Sequence, residues 1–127
     1  MSDYTVKNLM DVEDRAKGRE VEARLARAHI ASQHLGVSYF RFAPGYRSPS
    51  GHHHREQEEA YVVVSGSGRI KLDDEIVDLR RWDVVRVAPH IVRGFEAGSE
   101  GLEVIAVGSD RPEEGDGVMV QDWWTDH

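Results

Sequence analysis

The sequence predicts an all-β protein, an antiparallel sandwich or barrel built from short strands. Runs rich in valine, isoleucine and aromatic residues recur along the chain, and turn-forming Gly, Pro and Asp residues separate them. Only residues 14–28 have the composition of a helix, so the regular alternation of strands and helices that a parallel βαβ fold requires is absent.

The predicted strands follow one another at short intervals along the middle of the chain. Residues 69–72 and 76–79 alternate in character on either side of Asp73-Asp74-Glu75, which predicts a β-hairpin. The strand of residues 60–64 ends at Gly66-Ser67-Gly68, which we interpret as a turn. In chain order, the predicted strands are residues 37–42, 60–64, 69–72, 76–79, 83–87, 91–95 and 102–107.

The two ends of the chain are predicted to lie outside the main β-structure. We expect an N-terminal segment at residues 1–34, a barrel at residues 35–108 and a C-terminal loop and tail at residues 109–127. Gly18 interrupts the helix-like stretch, so the N-terminal segment contains either a short helix or an edge strand. In the tail, the Trp123-Trp124 pair is expected to cover an apolar surface.

Composition limits the partners that this chain can have. Its 127 residues fit one domain, and 39% hydrophobic with 31% charged residues is typical of a soluble globular protein. The net charge of -7 and the lack of a basic stripe argue against binding nucleic acid or an anionic membrane. The chain has no cysteine, no apolar signal segment at its start and no apolar run long enough to span a bilayer, so we expect a cytoplasmic protein.

A cluster of metal-ligand side chains stands directly before the strand of residues 60–64. Imidazole nitrogen and carboxylate oxygen hold divalent transition metals. His52 and His54 are two residues apart, so in an extended chain their side chains lie on the same face. Glu59 could complete a three-ligand site from the following strand.

Two alternatives to this site stay open. The two histidines could belong to a solvated polar loop without metal, although the spacing to Glu59 favours ligation. If the register of the loop slips by one or two residues, Glu58 or Gln57 would replace Glu59 as the ligand. His53, in the middle of the triplet, is expected to point away from the site and face solvent.

The spacing of these residues resembles the first conserved motif of the cupin superfamily. The matching order is His52-x-His54, four residues, Glu59, six residues and Gly66. The resemblance covers residues 35–108 and implies a jelly-roll barrel, also called a double-stranded β-helix. It further implies one divalent transition metal, such as Zn, Mn, Fe or Ni, held by two histidines and one glutamate of this motif and by a histidine of a second motif.

The second motif departs from the family pattern. Where cupins usually have Gly, Pro, Gly, His and Asn, this chain has Trp82, Ala88, His90, Arg93 and Ala97. Arg93 therefore stands at the position of the fourth ligand. Because a guanidinium matches the planar fork of a carboxylate, we expect Arg93 to anchor an acidic group of the substrate. The alternative is that Arg93 pairs with Glu59 or Glu58 in a site without metal.

The locations of three further side chains near these motifs can also be predicted. Tyr61 shares the strand face of Glu59 and is expected to line the ligand cavity and contact the substrate. Trp82 stands where the family usually has glycine, and we expect its ring to plug one end of the barrel. His90 is the only histidine near the second motif, and its place at a turn predicts an exposed side chain.

The resemblance implies a small-molecule cupin whose status as an enzyme is open. One hypothesis is metal-assisted oxygenase or isomerase chemistry on a small carboxylate or enolisable compound, with no catalytic residue assigned. The alternative is a non-catalytic cupin that binds or senses a ligand, with or without metal. In both cases the expected partner is a small organic, anionic ligand, and family habit implies a homodimer through edge strands.

Overall fold

Residues 3–126 are described by a computed structural model, in which one curled antiparallel sheet forms a jelly-roll barrel. A single turn of 3-10 helix spans Leu9–Asp11. Within the described part of the chain, no helix has the length and apolar character needed to cross a membrane. The strands are β1 (Val21–Leu25), β2 (Gly36–Phe42), β3 (Gly51–His54), β4 (Glu59–Leu72), β5 (Glu75–Arg80), β6 (Val84–Val87), β7 (Arg93–Gly108) and β8 (Gly117–Val120).

The long strands β4 and β7 connect the two halves of the barrel. They pair antiparallel along most of their length, and β7 also pairs with β2, which in turn pairs with β1. Near its start, β7 pairs with β3 at Arg93 and His52. Inward side chains of the long strands, such as Val63 and Val104, are completely buried. Each such burial stabilises the fold by about 1.5–3 kcal/mol, and the histidine-bearing strand β3 pairs with one of these long strands.

The predicted turn at residues 66–68 is wrong, because β4 runs through it without interruption. The register between β4 and β7 shifts twice in this stretch. Gly66 has a φ of 76°, and a Cβ there would lie 2.0 Å from the carbonyl oxygen of Gly101. Glycine therefore permits a bulge that bends one continuous strand around the barrel, where the sequence suggested two strands and a turn.

Two other strand predictions have opposite outcomes. The hairpin around residues 73–75 is confirmed, since β4 and β5 pair from Leu72 and Glu75 outward. The strands expected at residues 91–95 and 102–107 are instead parts of the single strand β7. Both long strands contain glycines at which another part of the chain comes close, and such glycines are easily mistaken for turns.

Trp82 does not plug the barrel, so this expectation is wrong. Its side chain is 64% exposed, and it lies in the turn between β5 and β6 with a φ of 76°. The guanidinium of Arg81 lies over the Trp82 ring, 4.8 Å from its centroid. A turn position outside the sheet keeps the ring on the surface, whatever residue the family usually has there.

The N-terminal segment forms an edge strand, the second of its two predicted alternatives. β1 pairs with β2 along all five of its residues. Before β1, the carboxylate of Asp14 accepts hydrogen bonds from the backbone N–H groups of Ala16, Lys17 and Ala23, which holds the chain out of a helix. Among the described strands, β1 pairs with β2 alone, and its other edge is partly covered by the preceding segment, where Asp14 bridges to Arg24 and the N–H of Arg15 donates to the carbonyl oxygen of Ala23. The homodimer through edge strands stays a prediction.

The C-terminal region contains a strand that the sequence analysis missed. β8 pairs with all four residues of β3 and closes the barrel beside the histidines. Four residues with alternating exposure are too few to give a clear periodic pattern. Farther along the tail, Trp124 is 7% exposed and donates a hydrogen bond of 2.9 Å from Nε1 to the carbonyl oxygen of Ser48. The tail is thereby anchored to the barrel.

Candidate metal centre

The site is built from strand β3 and the first residue of β4. Strand alternation places the rings of His52 and His54 on the same side of β3, with their centroids 5.2 Å apart and an edge-to-face arrangement. His53 has the opposite orientation, lies opposite Val118 of β8 and is half-buried. Glu59 begins β4 and reaches the same side of the barrel.

The candidate ligand atoms converge on one point. One nitrogen of His52, one nitrogen of His54 and one oxygen of Glu59 all lie within 4.8 Å of one another. Glu59 Oε1 is 3.1 Å from Nε2 of His54 and 3.8 Å from Nε2 of His52. Nε2 of His54 is nevertheless buried without a hydrogen bond of acceptable geometry. A buried imidazole nitrogen aimed at a carboxylate and a second imidazole matches the donor set of a transition-metal site.

Asp116 is a site residue that the sequence analysis did not find. Its Oδ1 lies 2.8 Å from Nδ1 of His54, and its Oδ2 accepts hydrogen bonds of 2.8 Å from the backbone N–H groups of Glu56 and Gln57. Burial would raise the pKa of Asp116, but the two N–H donors and His54 outweigh it and lower the pKa to about 2. An ionised Asp116 keeps a proton on Nδ1 of His54 and leaves Nε2, the nitrogen that faces Glu59, available as a ligand atom.

The electrostatics of Glu59 and His54 are coupled. Burial would raise the pKa of Glu59, yet contacts with His52, His54 and Tyr61 hold that pKa well below its usual range. The hydroxyl of Tyr61 donates a hydrogen bond of 2.6 Å to Glu59 Oε1. The carboxylates of Glu59 and Asp116 raise the pKa of His54 against the opposing effect of burial. Glu59 is therefore an anion at neutral pH, as a metal ligand must be.

Arg93 lies beside this carboxylate and has no exposed surface. Its Nη2 is 3.3 Å from Glu59 Oε1, and its Nη1 donates a hydrogen bond of 2.8 Å to the carbonyl oxygen of Ile91. Its Nε and Nη2 make no hydrogen bond of acceptable geometry. The guanidinium thus places a positive charge against Glu59 at the position where the family resemblance implies a fourth ligand.

The alternative ligands lie outside the cluster. Glu58 is exposed and pairs with Arg86 at 2.9 Å. Gln57 is buried, and its side-chain amide donates a hydrogen bond of 3.1 Å to the carbonyl oxygen of Ser109. His90 is exposed, as its turn position predicted. The structure therefore gathers His52, His54, Glu59, Tyr61 and Arg93 at one place, and Glu59 is the carboxylate that faces the histidines.

The fold has relatives among solved structures. A cupin protein from Bacteroides fragilis is 22% identical, with 100% of both chains covered and a TM-score of 0.72. KdgF from Halomonas sp. is 18% identical, with 89% of this chain and 90% of that chain covered and a TM-score of 0.65. A tryptophan-to-tyrosine variant of oxalate decarboxylase from Bacillus subtilis is 24% identical, with 93% of this chain and 33% of that chain covered and a TM-score of 0.74.

The chain was also compared with curated proteins and with family models. No curated protein matches the chain. The family model of the cupin domain matches residues 38–108, which is more than half of the chain and includes the histidine motif, Glu59 and Arg93. Both this match and the all-β barrel agree with the resemblance inferred from the His52-x-His54 motif. The chain belongs to the cupin family.

Proposed function

We propose that this protein is a small-molecule cupin that binds one divalent transition metal through His52, His54 and Glu59. The observation that carries the proposal is the convergence of three ligand atoms within 4.8 Å, one of them a buried imidazole nitrogen without a hydrogen bond. A buried polar atom normally has a partner, because leaving it unpaired costs about 1–3 kcal/mol. A metal ion would supply that partner for Nε2 of His54.

The donor set suits Zn, Mn, Fe or Ni, and three protein ligands leave coordination positions for water or a ligand. When bound, the metal would act as a Lewis acid that polarises an oxygen of the ligand. The protein's own residues prepare this site. Asp116 orients His54, the Tyr61 hydroxyl donates a hydrogen bond to Glu59, and Arg93 balances the charge of that carboxylate.

The reaction we propose is oxygenase or isomerase chemistry on a small carboxylate or enolisable compound. The likeness to an oxalate decarboxylase supports a small carboxylate, because the name of that enzyme specifies one. Tyr61 is proposed as a residue that faces the ligand, and Arg93 has two alternative roles: it anchors an acidic group of the ligand, or it pairs with Glu59. The complete burial of Arg93 favours the alternative role, in which it pairs with Glu59 and reaches no ligand.

The first test is the metal content of the untagged protein, purified without chelator and measured by ICP-MS. We expect about one divalent metal per chain, either as purified or after reconstitution with iron, manganese, nickel and zinc in turn. The metal that binds would then select the chemistry to assay. Absence of metal after all four reconstitutions would contradict the proposed centre.

A non-catalytic binding cupin is the second candidate, and Arg93 is the observation that favours it. An arginine in place of the fourth ligand adds positive charge beside the metal position and so weakens a catalytic centre. Assays of the metal-loaded protein with acids, diketones and phenols separate the two candidates. Metal-dependent turnover identifies an enzyme, whereas ligand binding without turnover identifies a binding or sensing protein.

We expect Asp116→Ala to lower the metal affinity roughly 10–100-fold, the range typical for loss of the carboxylate behind a ligating histidine. Without Asp116, His54 loses the partner that sets its tautomer and ring orientation. Competition with a chelator measures the affinity directly. Asp110→Ala is the matched control, because Asp110 is an exposed residue of the same loop that pairs with the exposed His34. Equal metal affinity in Asp116→Ala and Asp110→Ala would show that Asp116 has no such role.

A further inference from the structure

Two cavities of different chemical character meet at the candidate metal centre. Each has a volume of about 310 Å³, and His52, Glu59 and Phe40 line both of them. The first cavity, here called the polar compartment, is also lined by Arg27 and Arg111. The second, here called the aromatic compartment, is also lined by Phe42, Tyr46 and Phe95. A molecule bound at the centre would therefore extend into two different environments.

The polar compartment carries two guanidinium groups that no carboxylate neutralises. Arg27 donates a hydrogen bond of 2.8 Å to the carbonyl oxygen of Ser109, and Arg111 makes one of 3.3 Å to that of Pro112. Within residues 3–126, neither guanidinium lies within 4.0 Å of a carboxylate oxygen, although the chain has a net charge of -7. Gly36 makes room for Arg27, since a Cβ there would lie 2.7 Å from Nη2.

Besides Glu59, one acidic side chain lines this compartment, and its carboxylate is already hydrogen-bonded within the protein. Asp116 is 2% exposed and uses its two oxygens on His54 and on two backbone N–H groups. The free charge that faces the polar compartment is therefore positive. Guanidinium groups that lack a carboxylate partner bind carboxylate and phosphate oxyanions through charge-assisted hydrogen bonds.

The aromatic compartment is suited to a ring. Phe42 stacks with Phe40, Tyr46 and Phe95 at centroid distances of 6.3, 5.9 and 5.7 Å. Val21 and Met119 add further apolar surface to the same wall. Flat aromatic walls and apolar side chains favour a planar or ring-sized apolar group over a hydrated one.

We infer that the ligand of this cupin is an amphipathic anion, with an oxyanion head group at Arg27 and Arg111 and a ring-sized apolar body in the aromatic compartment. The inference rests on the proposed function, because it concerns the same site and names the class of ligand that the site takes. His52 and Glu59 of the candidate metal centre line both compartments, so the centre would meet the atoms that join head group and body.

Three matched probes test this inference by isothermal titration calorimetry. They are 3-phenylpropionate, which has both features, 3-phenylpropionamide, which lacks the charge, and propionate, which lacks the ring. We expect 3-phenylpropionate to bind at least about tenfold more tightly than either other probe, since one charge-assisted contact or one buried ring is worth at least that factor. Similar affinities for all three probes, or no binding of any of them, would overturn the inference.

Variants locate the two contacts. Arg27→Gln and Arg111→Gln should each weaken 3-phenylpropionate several-fold, roughly up to tenfold, and leave 3-phenylpropionamide unchanged. Phe40→Leu should weaken both ring-containing probes. Arg80→Gln is the control, because Arg80 is exposed at the end of β5 and lines neither compartment. Loss of affinity in Arg80→Gln equal to that in the other two arginine variants would contradict the assigned head-group site.

The titrations are run on both metal-loaded and metal-free protein, with the metal content measured separately. Preference for 3-phenylpropionate in protein that takes up no metal would support the ligand class and reject the proposed metal centre. Normal metal uptake without that preference would reject the ligand class and leave the metal centre standing. The two ideas can therefore fail independently.

Discussion

Replacing His52 and His54 together by alanine is expected to abolish metal uptake. The change removes both imidazole ligands and leaves Glu59 as the sole member of the cluster. A single carboxylate beside a buried arginine cannot retain a transition metal, so we expect less than ~10% of the wild-type metal content. The measurement is ICP-MS on wild type and variant that are purified, reconstituted and dialysed in parallel.

His53→Ala is the matched control for this experiment. His53 belongs to the same strand, but strand alternation gives its side chain the opposite orientation, so the His53→Ala variant should keep the full metal content. Circular dichroism checks that each variant is folded. If the double variant fails to fold, His52→Ala alone serves, because the side chain of His52 is 34% exposed and that of His54 only 12%. Equal metal loss in His53→Ala and in the double variant would mean that the triplet binds metal as an unstructured cluster.

Replacing Arg93 by methionine is expected to destabilise the metal-free protein and to tighten its binding of metal. In the absence of metal, Arg93 is the buried positive charge beside Glu59, and removing one partner of a buried ion pair costs about 3–5 kcal/mol. In the presence of metal, the same change removes a repulsive charge, so we expect roughly tenfold higher affinity. Denaturant unfolding measures the first effect, and chelator competition measures the second.

Arg86→Met is the control for the buried pair. Arg86 also pairs with a glutamate, Glu58, but their side chains are 70% and 53% exposed. Such a surface pair contributes about 0–1 kcal/mol, so this variant should unfold nearly as the wild type does. Metal binding that weakens in Arg93→Met, together with lost binding of organic anions, would instead support the role of Arg93 as an anchor for an acidic ligand group.

The cluster of candidate ligands could be predicted because its pattern is local. His52, His54 and Glu59 lie within eight consecutive residues, and strand alternation alone places the two imidazoles on one face. The hairpin between β4 and β5 was predictable for the same reason, since Asp73 and Asp74 directly separate two runs of strand-forming residues. The family motif extends over a single stretch of chain and is likewise visible in the sequence.

Other predictions failed because the same local pattern is compatible with two different structures. The glycines at positions 66 and 68 are typical of a turn, but the pairing of β4 with β7 on both sides of them makes this stretch a bulge. Trp82 was assigned to the barrel interior from the family position alone. Whether a glycine ends or bends a strand depends on the neighbouring strand, which a single segment does not reveal.

By itself, the sequence determined the antiparallel β class and the spacing of His52, His54 and Glu59, which follow from short-range periodicity and composition. It also indicated the family, through the resemblance of that motif to the first motif of the cupins. The tertiary structure alone decided which distant side chains join them. Asp116 reaches His54 from 62 residues farther along the chain, and it does so because β8 pairs with β3. Arg27 and Arg111 face one cavity only because the barrel closes. Such contacts depend on strand pairing over long separations, and no periodicity within one segment encodes them.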